Sequence, residues 1–172
     1  MASLSSAQSV ARALTAAGGY VDAVGYVALF RLFTAHQSGN SDGLGVALGA
    51  GDWTEVWRRS ISIAAFVAGI VIGSALVEVA RQRQARSPAV GVALAEAAML
   101  CLALGVGQAA ATGGKIAPAN TAAYATAAAA LAGAMGLQAV AMRRAGNRTL
   151  WTTFMTGVLI NMAQSLVVAC FT

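Results

Sequence analysis

The chain has 172 residues, of which 58% are hydrophobic and 10% charged, and its mean hydropathy is +0.70. Soluble domains average about 45–50% apolar and about 25% charged residues, so this composition excludes both a soluble globular domain and a disordered chain. Basic residues outnumber acidic ones by 11 to 6, yet they are bunched between apolar runs, which is typical of membrane-protein loops and not of a nucleic-acid-binding surface. The composition therefore predicts an all-α, polytopic transmembrane helical bundle, a single membrane domain whose partner is the lipid bilayer.

A membrane span needs about 20 mostly apolar residues, and about six segments approach this length. The first, 13–30, carries Asp22 near its middle and is interpreted as a retained span rather than a cleaved signal. The second, 32–51, begins with a polar half, so it is either a short second span or a re-entrant segment. The stretch 53–59, with two tryptophans, is expected to form an interfacial helix.

The other predicted segments are 60–80, 88–112, 117–142 and 150–171. If six segments cross, the smaller group of basic residues lies on one side of the membrane and consists of Arg12, Arg58, Arg59 and Lys115. Loops 81–86 and 143–148 share the more basic side whether or not the second segment crosses. The positive-inside rule therefore predicts that both loops are cytoplasmic.

A weak internal repeat links the two ends of the chain. Val21-Asp22-Ala23-Val24, followed by Phe33-Thr34, matches Leu137-Gln138-Ala139-Val140, followed by Trp151-Thr152, at similar spacing. Internal repeats are common in transporter folds. The two copies point the same way if the second segment crosses and are inverted if it is re-entrant.

Asp22 is the sharpest functional candidate, because an ionisable group near mid-membrane costs at least about 2.5–3.5 kcal/mol. Its helical neighbours include Gly18, Gly19 and Gly25, which would leave a polar notch and let another helix approach. Asp22 either coordinates an ion, a proton or a substrate, or it is a carboxylate that fastens the first span to another helix. Glu96 is either a partner of Asp22 or of an arginine, or an interfacial carboxylate.

The last segment carries a polar stripe, which is either one wall of a substrate path or a set of interhelical hydrogen bonds. In the first copy, Asn40 would form the matching element near a break in the chain, as in the broken helices of transporters. The predicted pathway for a small solute or ion is lined by Asp22, Asn40, Glu96, Gln138, Thr156 and Asn161.

Close helix packing is predicted at Gly18 and Gly19 and at the GxxxG pair of Gly69 and Gly73. That packing is either internal or between subunits, so a homo-oligomer stays open. Enzyme signatures are absent: His36 is the single histidine, and no metal, cofactor or catalytic residue is expected, although Asp22, His36 and Ser38 could converge.

The motifs in their order resemble the YoaK-like family of uncharacterised bacterial inner-membrane proteins. They are GYVDA at 19–23, LFTAH at 32–36, SGN at 38–40, GDW at 51–53, AFVAG at 65–69 and AMGLQ at 134–138. The resemblance implies an inner (plasma) membrane location and supplies no substrate. Members are usually longer, so we expect this chain to be a C-terminally shortened member. The leading hypothesis is a small transporter or channel-like protein, and the alternative is a non-transporting membrane scaffold or assembly partner.

Overall fold

The structure, a computed structural model, describes residues 2–85, 87, 89–119, 121–145 and 154–170. In this part of the chain it has six α-helices and no strand, which confirms the predicted all-α fold. The helices are α1 (Ala2–Ala28), α2 (Gln37–Ala50), α3 (Trp53–Gln82), α4 (Ala89–Ala110), α5 (Thr121–Ala145) and α6 (Phe154–Cys170).

Three of these helices are long and apolar enough to cross a membrane, within the described residues: α3, α4 and the Thr121–Met142 part of α5. With 14 residues, α2 is shorter than the predicted segment 32–51, and the described part of α6 has 17 residues. Although α1 has 27 residues, it is too polar to belong to this group. The three apolar helices indicate a membrane protein.

The interfacial helix expected at 53–59 is not a separate element, because α3 runs from Trp53 without a break into the predicted span 60–80. Two local features explain this difference. Gly51 adopts a left-handed conformation (φ 69°) that ends α2, and the Asp52 side chain accepts a hydrogen bond from Glu55 N (3.1 Å) that starts α3. An N-cap of this kind satisfies one of the unpaired amides of the first turn.

At the centre of the bundle lies α5, which packs closely against α3. Within the most apolar window of each helix, 61% of α5 residues are buried but only 11% of α4 residues. A Cβ atom added to Gly69 would overlap Gly133 O, and one added to Gly136 would overlap Phe66 O. Both glycines of the GxxxG pair, Gly69 and Gly73, therefore pack within the chain on residues of α5.

Residues 29–50, which we call the hairpin, fold back into the bundle instead of crossing it. The Leu29 carbonyl, just past the end of α1, contacts the Arg58 side chain near the start of α3. The following residues turn inward, and α2 begins at Gln37, which lies against Ser62 one turn deeper on α3. Further along α2, Gly43 lies against Arg59. The chain thus enters and leaves at the same end, which favours the re-entrant interpretation of segment 32–51.

Helix directions agree with an inverted repeat. Leu29 contacts Tyr124 near the start of α5, whereas Gly18 contacts Gln138 near its end, so α1 and α5 are antiparallel. The two copies of the repeat therefore run in opposite directions, as expected for a re-entrant second segment. Trp151 and Thr152 of the second copy lie outside the described residues.

Candidate functional site

The Asp22 carboxylate binds the backbone at the inner end of the hairpin. Its Oδ1 atom accepts hydrogen bonds from Thr34 N (2.6 Å), Ala35 N (2.7 Å) and Thr34 Oγ1 (3.2 Å). Gly25 makes this approach possible, because an added Cβ would lie 2.6 Å from Thr34 Cγ2. Both amides precede α2, so Asp22 supplies the acceptor that this non-helical backbone needs inside the bundle. The geometry favours a structural role for Asp22, in which its carboxylate attaches the hairpin to α1.

On the other side of the hairpin, three buried polar side chains bind the same stretch of backbone. Asn40 forms a pair of hydrogen bonds with Phe33, donating to its carbonyl (2.7 Å) and accepting from its amide (3.2 Å). Gln37 Nε2 donates to Thr34 O (2.9 Å), and Ser62 Oγ donates to Phe33 O (2.7 Å). Gln37, Asn40 and Ser62 are each 0% exposed. Satisfied networks of this kind specify a single backbone conformation.

The outer end of the hairpin is held by Arg58, which is 5% exposed. Its Nη2 donates to Leu29 O (2.7 Å) and Phe30 O (2.5 Å), and its Nε donates to the Tyr124 hydroxyl (2.8 Å). Its charge is compensated by an ion pair with Glu55. A buried charge that lacked such partners would be strongly destabilising.

Glu96 lies elsewhere in the bundle and pairs with Gln138. Gln138 Nε2 donates to Glu96 Oε1 (3.1 Å), which joins α4 to α5. Of the two interpretations of Glu96, pairing with Asp22 or an arginine is not observed, because its hydrogen-bond partner is an amide on the facing helix. Gln138 Oε1 also lies 2.7 Å from the position of a Cβ added to Gly18, one turn before Asp22.

The remaining predicted residues divide into three groups. Gly73 packs on Leu137 and Val140, whereas a Cβ added to Gly19 would meet nothing within 4 Å, so Gly19 makes no close helix contact within the described part of the chain. The side chains of Thr156 and Asn161 lie outside the described residues. His36 faces the Phe33 ring (5.5 Å between centroids) while Asp22 binds backbone amides, and no hydrogen bond joins the two.

Sequence reasoning missed Arg58, Tyr124, Gln37 and Ser62. Arg58 was assigned to an interfacial helix, since a basic pair next to tryptophan is typical of a membrane surface. The signal for Tyr124 was its position as a lone hydroxyl-bearing ring in an alanine-rich helix, because a buried tyrosine hydroxyl usually has a partner. Among the described residues, no group of three or more His, Cys, Asp or Glu side chains could hold a metal ion.

Taken together, these side chains direct their hydrogen-bonding groups at the protein's own backbone and at one another. Asp22 and Asn40 both bind the backbone of the hairpin. Glu96 and Gln138 form a separate pair, and Gln138 lies against Gly18, one turn before Asp22 on α1. Comparison with curated proteins and with solved structures gives no match. The family model described as a protein of unknown function (DUF1275) matches residues 10–172. Because the match covers nearly the whole chain, the protein belongs to the DUF1275 family.

Proposed function

We propose that the protein is a YoaK-like transporter or channel-like protein of the bacterial inner membrane, which moves a small solute or ion along the hairpin. The observation that carries this proposal is the non-helical backbone of residues 29–36, which reaches Asp22 in the interior of the bundle. At membrane depth such backbone is tolerated only where it is buried in protein or lines a water-filled cavity. Broken segments at this depth form the substrate sites of many transporters.

The proposed topology has five crossings, with α2 confined to the hairpin. Loops 81–86 and 143–148 then lie in the cytoplasm together with Arg12. The basic residues on the opposite side are Arg31, Arg58, Arg59 and Lys115. Seven basic residues against four satisfy the positive-inside rule. In this arrangement α1 crosses despite its polarity, because its polar face binds the hairpin.

Within the hairpin, His36 is the residue we assign to the pathway. Its side chain is exposed although the neighbouring amide of Ala35 is bonded to Asp22 inside the bundle. An exposed imidazole at this depth is costly in lipid and inexpensive in water. Asp22 and Asn40, whose polar atoms already bind the hairpin, are assigned to holding it in place.

The test is the water accessibility of this position. The two native cysteines are exposed and would first be replaced by Cys101→Ser and Cys170→Ser. His36→Cys would then be treated with a charged, membrane-impermeant thiol reagent in liposomes. The matched control is Tyr20→Cys, because Tyr20 lies two residues from Asp22 and is 72% exposed, so it occupies a similar depth. We expect rapid labelling at His36 and none at Tyr20.

Flux completes the test. Liposomes with the purified protein would be compared with empty liposomes for uptake of potassium, urea and glycerol. We expect at least one probe to enter faster with the protein, and labelling of His36→Cys to block that entry. If the cysteine at position 36 resists the reagent as the one at position 20 does, no aqueous path reaches the hairpin.

The alternative, a non-transporting scaffold or assembly partner, is favoured by one observation. The described polar side chains of the predicted pathway form hydrogen bonds to other groups of the same chain. At the same time, α4 leaves most of its apolar surface exposed. A scaffold would bury that surface against another protein. It predicts no flux and an unlabelled His36→Cys, so the same experiment separates the two functions.

A further inference from the structure

An open cleft of about 420 Å³ lies where α1 ends and the hairpin begins. It is lined by Tyr26, Val27, Phe30, Arg31 and Lys115. In the five-crossing topology this end of the bundle faces away from the cytoplasmic loops. A volume of this size is within the range of small-ligand sites, about 300–1,000 Å³.

The wall of the cleft is a strained turn. Phe30 and Arg31 both have positive φ (52° and 66°), a left-handed conformation that is uncommon for residues with bulky side chains. The turn follows the Schellman pattern, with Arg31 N bonded to Tyr26 O (2.8 Å), where glycine is the usual residue. Strain of this kind persists only where the surroundings impose it, and it clusters at functional sites.

The surroundings that impose this turn come from two other parts of the chain. Arg58 binds the carbonyls of Leu29 and Phe30. Ile116 N donates to Ala28 O (3.0 Å), which ties the loop that carries Lys115 to the end of α1. As a result, Arg31 and Lys115 line one cleft although they are far apart in the sequence.

The charge of the cleft is uncompensated. Of the four basic residues assigned to this end, Arg58 and Arg59 form ion pairs with Glu55. Neither Arg31 nor Lys115 forms an ion pair within the part of the chain that the structure describes. Lys115 Nζ instead lies 5.6 Å from the centre of the Phe30 ring. Two cations in an aromatic-lined cleft with no acidic residue among its lining residues favour an anion.

We propose that this cleft binds the phosphate group of an amphipathic ligand, either an anionic lipid or a soluble phosphate ester. A guanidinium provides the planar pair of donors that matches phosphate oxygens, and an ammonium adds a compact charge. Tyr26 and Phe30 supply the apolar wall that would contact the rest of the molecule. The site is separate from the hydrogen bonds around Asp22, since none of its lining residues takes part in them.

The experiment measures thermal unfolding of the purified protein in detergent micelles. The probes are phosphatidylglycerol, phosphatidylcholine as the zwitterionic control, inorganic phosphate and glycerol 3-phosphate. A ligand that binds the folded state raises its stability in proportion to RT ln(1 + [L]/Kd). Wild type would be compared with the double variant Arg31→Gln/Lys115→Gln. The matched control is Arg81→Gln/Arg83→Gln, which removes two exposed charges at the opposite end of the bundle.

We expect phosphatidylglycerol to protect wild type more than phosphatidylcholine does, and the cleft double variant to bind it at least tenfold more weakly while the control is unchanged. Glycerol 3-phosphate or inorganic phosphate could instead protect wild type as strongly as phosphatidylglycerol does. If the cleft double variant loses that protection, the result would support the site and identify a soluble ligand. The proposal is overturned if no probe protects wild type beyond phosphatidylcholine, or if both double variants lose protection equally. These outcomes do not depend on flux, so they are separate from the test of the pathway.

Discussion

Asp22 and Thr34 are twelve residues apart, yet Asp22 Oδ1 lies 2.6 Å from Thr34 N and 3.2 Å from Thr34 Oγ1. A carboxylate in the C-terminal part of α1 thus replaces the water that an exposed turn would use. The hairpin can remain inside the bundle because this acceptor is present.

We expect Asp22→Asn to destabilise the protein by about 1–2 kcal/mol, because charge-assisted hydrogen bonds are roughly twice as strong as neutral ones. Asp22→Ala, which leaves two amides without an acceptor, costs more. The control is Asp42→Asn, an exposed acidic residue on α2, which should be neutral. Denaturant unfolding in micelles measures the difference. Equal stability of Asp22→Asn and wild type would show that the hairpin does not need the charge.

Arg58 is the second residue that holds the hairpin in place, and its substitution should destabilise the protein more than Asp22→Asn does. Arg58→Met leaves Glu55 without this partner and Phe30 O without its side-chain donor. Because Leu29 O keeps the Tyr124 hydroxyl, we expect a loss of about 2–3 kcal/mol. Arg59→Lys is the matched control, since the half-buried Arg59 makes a single ion pair with Glu55 (3.3 Å), and lysine preserves that pair at a cost below about 1 kcal/mol. The prediction fails if the two variants unfold at the same denaturant concentration.

The contact between α3 and α5 leaves no room for a side chain. Gly69→Ala would place a methyl group on Gly133 O, and Gly136→Ala would place one on Phe66 O. Overpacking of this kind costs about 1–3 kcal/mol. In contrast, Gly45→Ala on α2 meets nothing within 4 Å and should gain up to about 1 kcal/mol from helix propensity. Melting temperatures that fall for the first two variants and do not fall for the third would support the contact.

Phe30→Gly should separate the stability of the turn from ligand binding. Glycine removes left-handed strain of about 1 kcal/mol, which offsets the loss of a partly buried ring. We therefore expect nearly unchanged stability but weaker protection by phosphatidylglycerol. Gln84→Gly is the control, because Gln84 has the same conformation (φ 53°) after α3, far from the cleft, so it should gain stability and retain protection. Undiminished protection in Phe30→Gly would exclude the ring from the site.

The length and spacing of the apolar runs predicted the six helices. The polar start of segment 32–51 left two interpretations open, a short second span and a re-entrant segment. Periodicity cannot decide between them, since the answer depends on which backbone groups find partners. Asp22 was identified because an intramembrane charge is costly, but its partners are main-chain amides, which have no signature in the sequence. Arg58 and Tyr124, 66 residues apart, meet only through the packing of α3 on α5.

The Gly69 and Gly136 contacts have a mechanical consequence. Where backbone touches backbone, two helices have no flexible side chains between them to absorb sliding. The α3–α5 pair then acts as a fixed frame, and opening or closing of the protein must come from elements that rest on this frame through side chains. The hairpin is one of them, attached by hydrogen bonds that can break and form again one at a time.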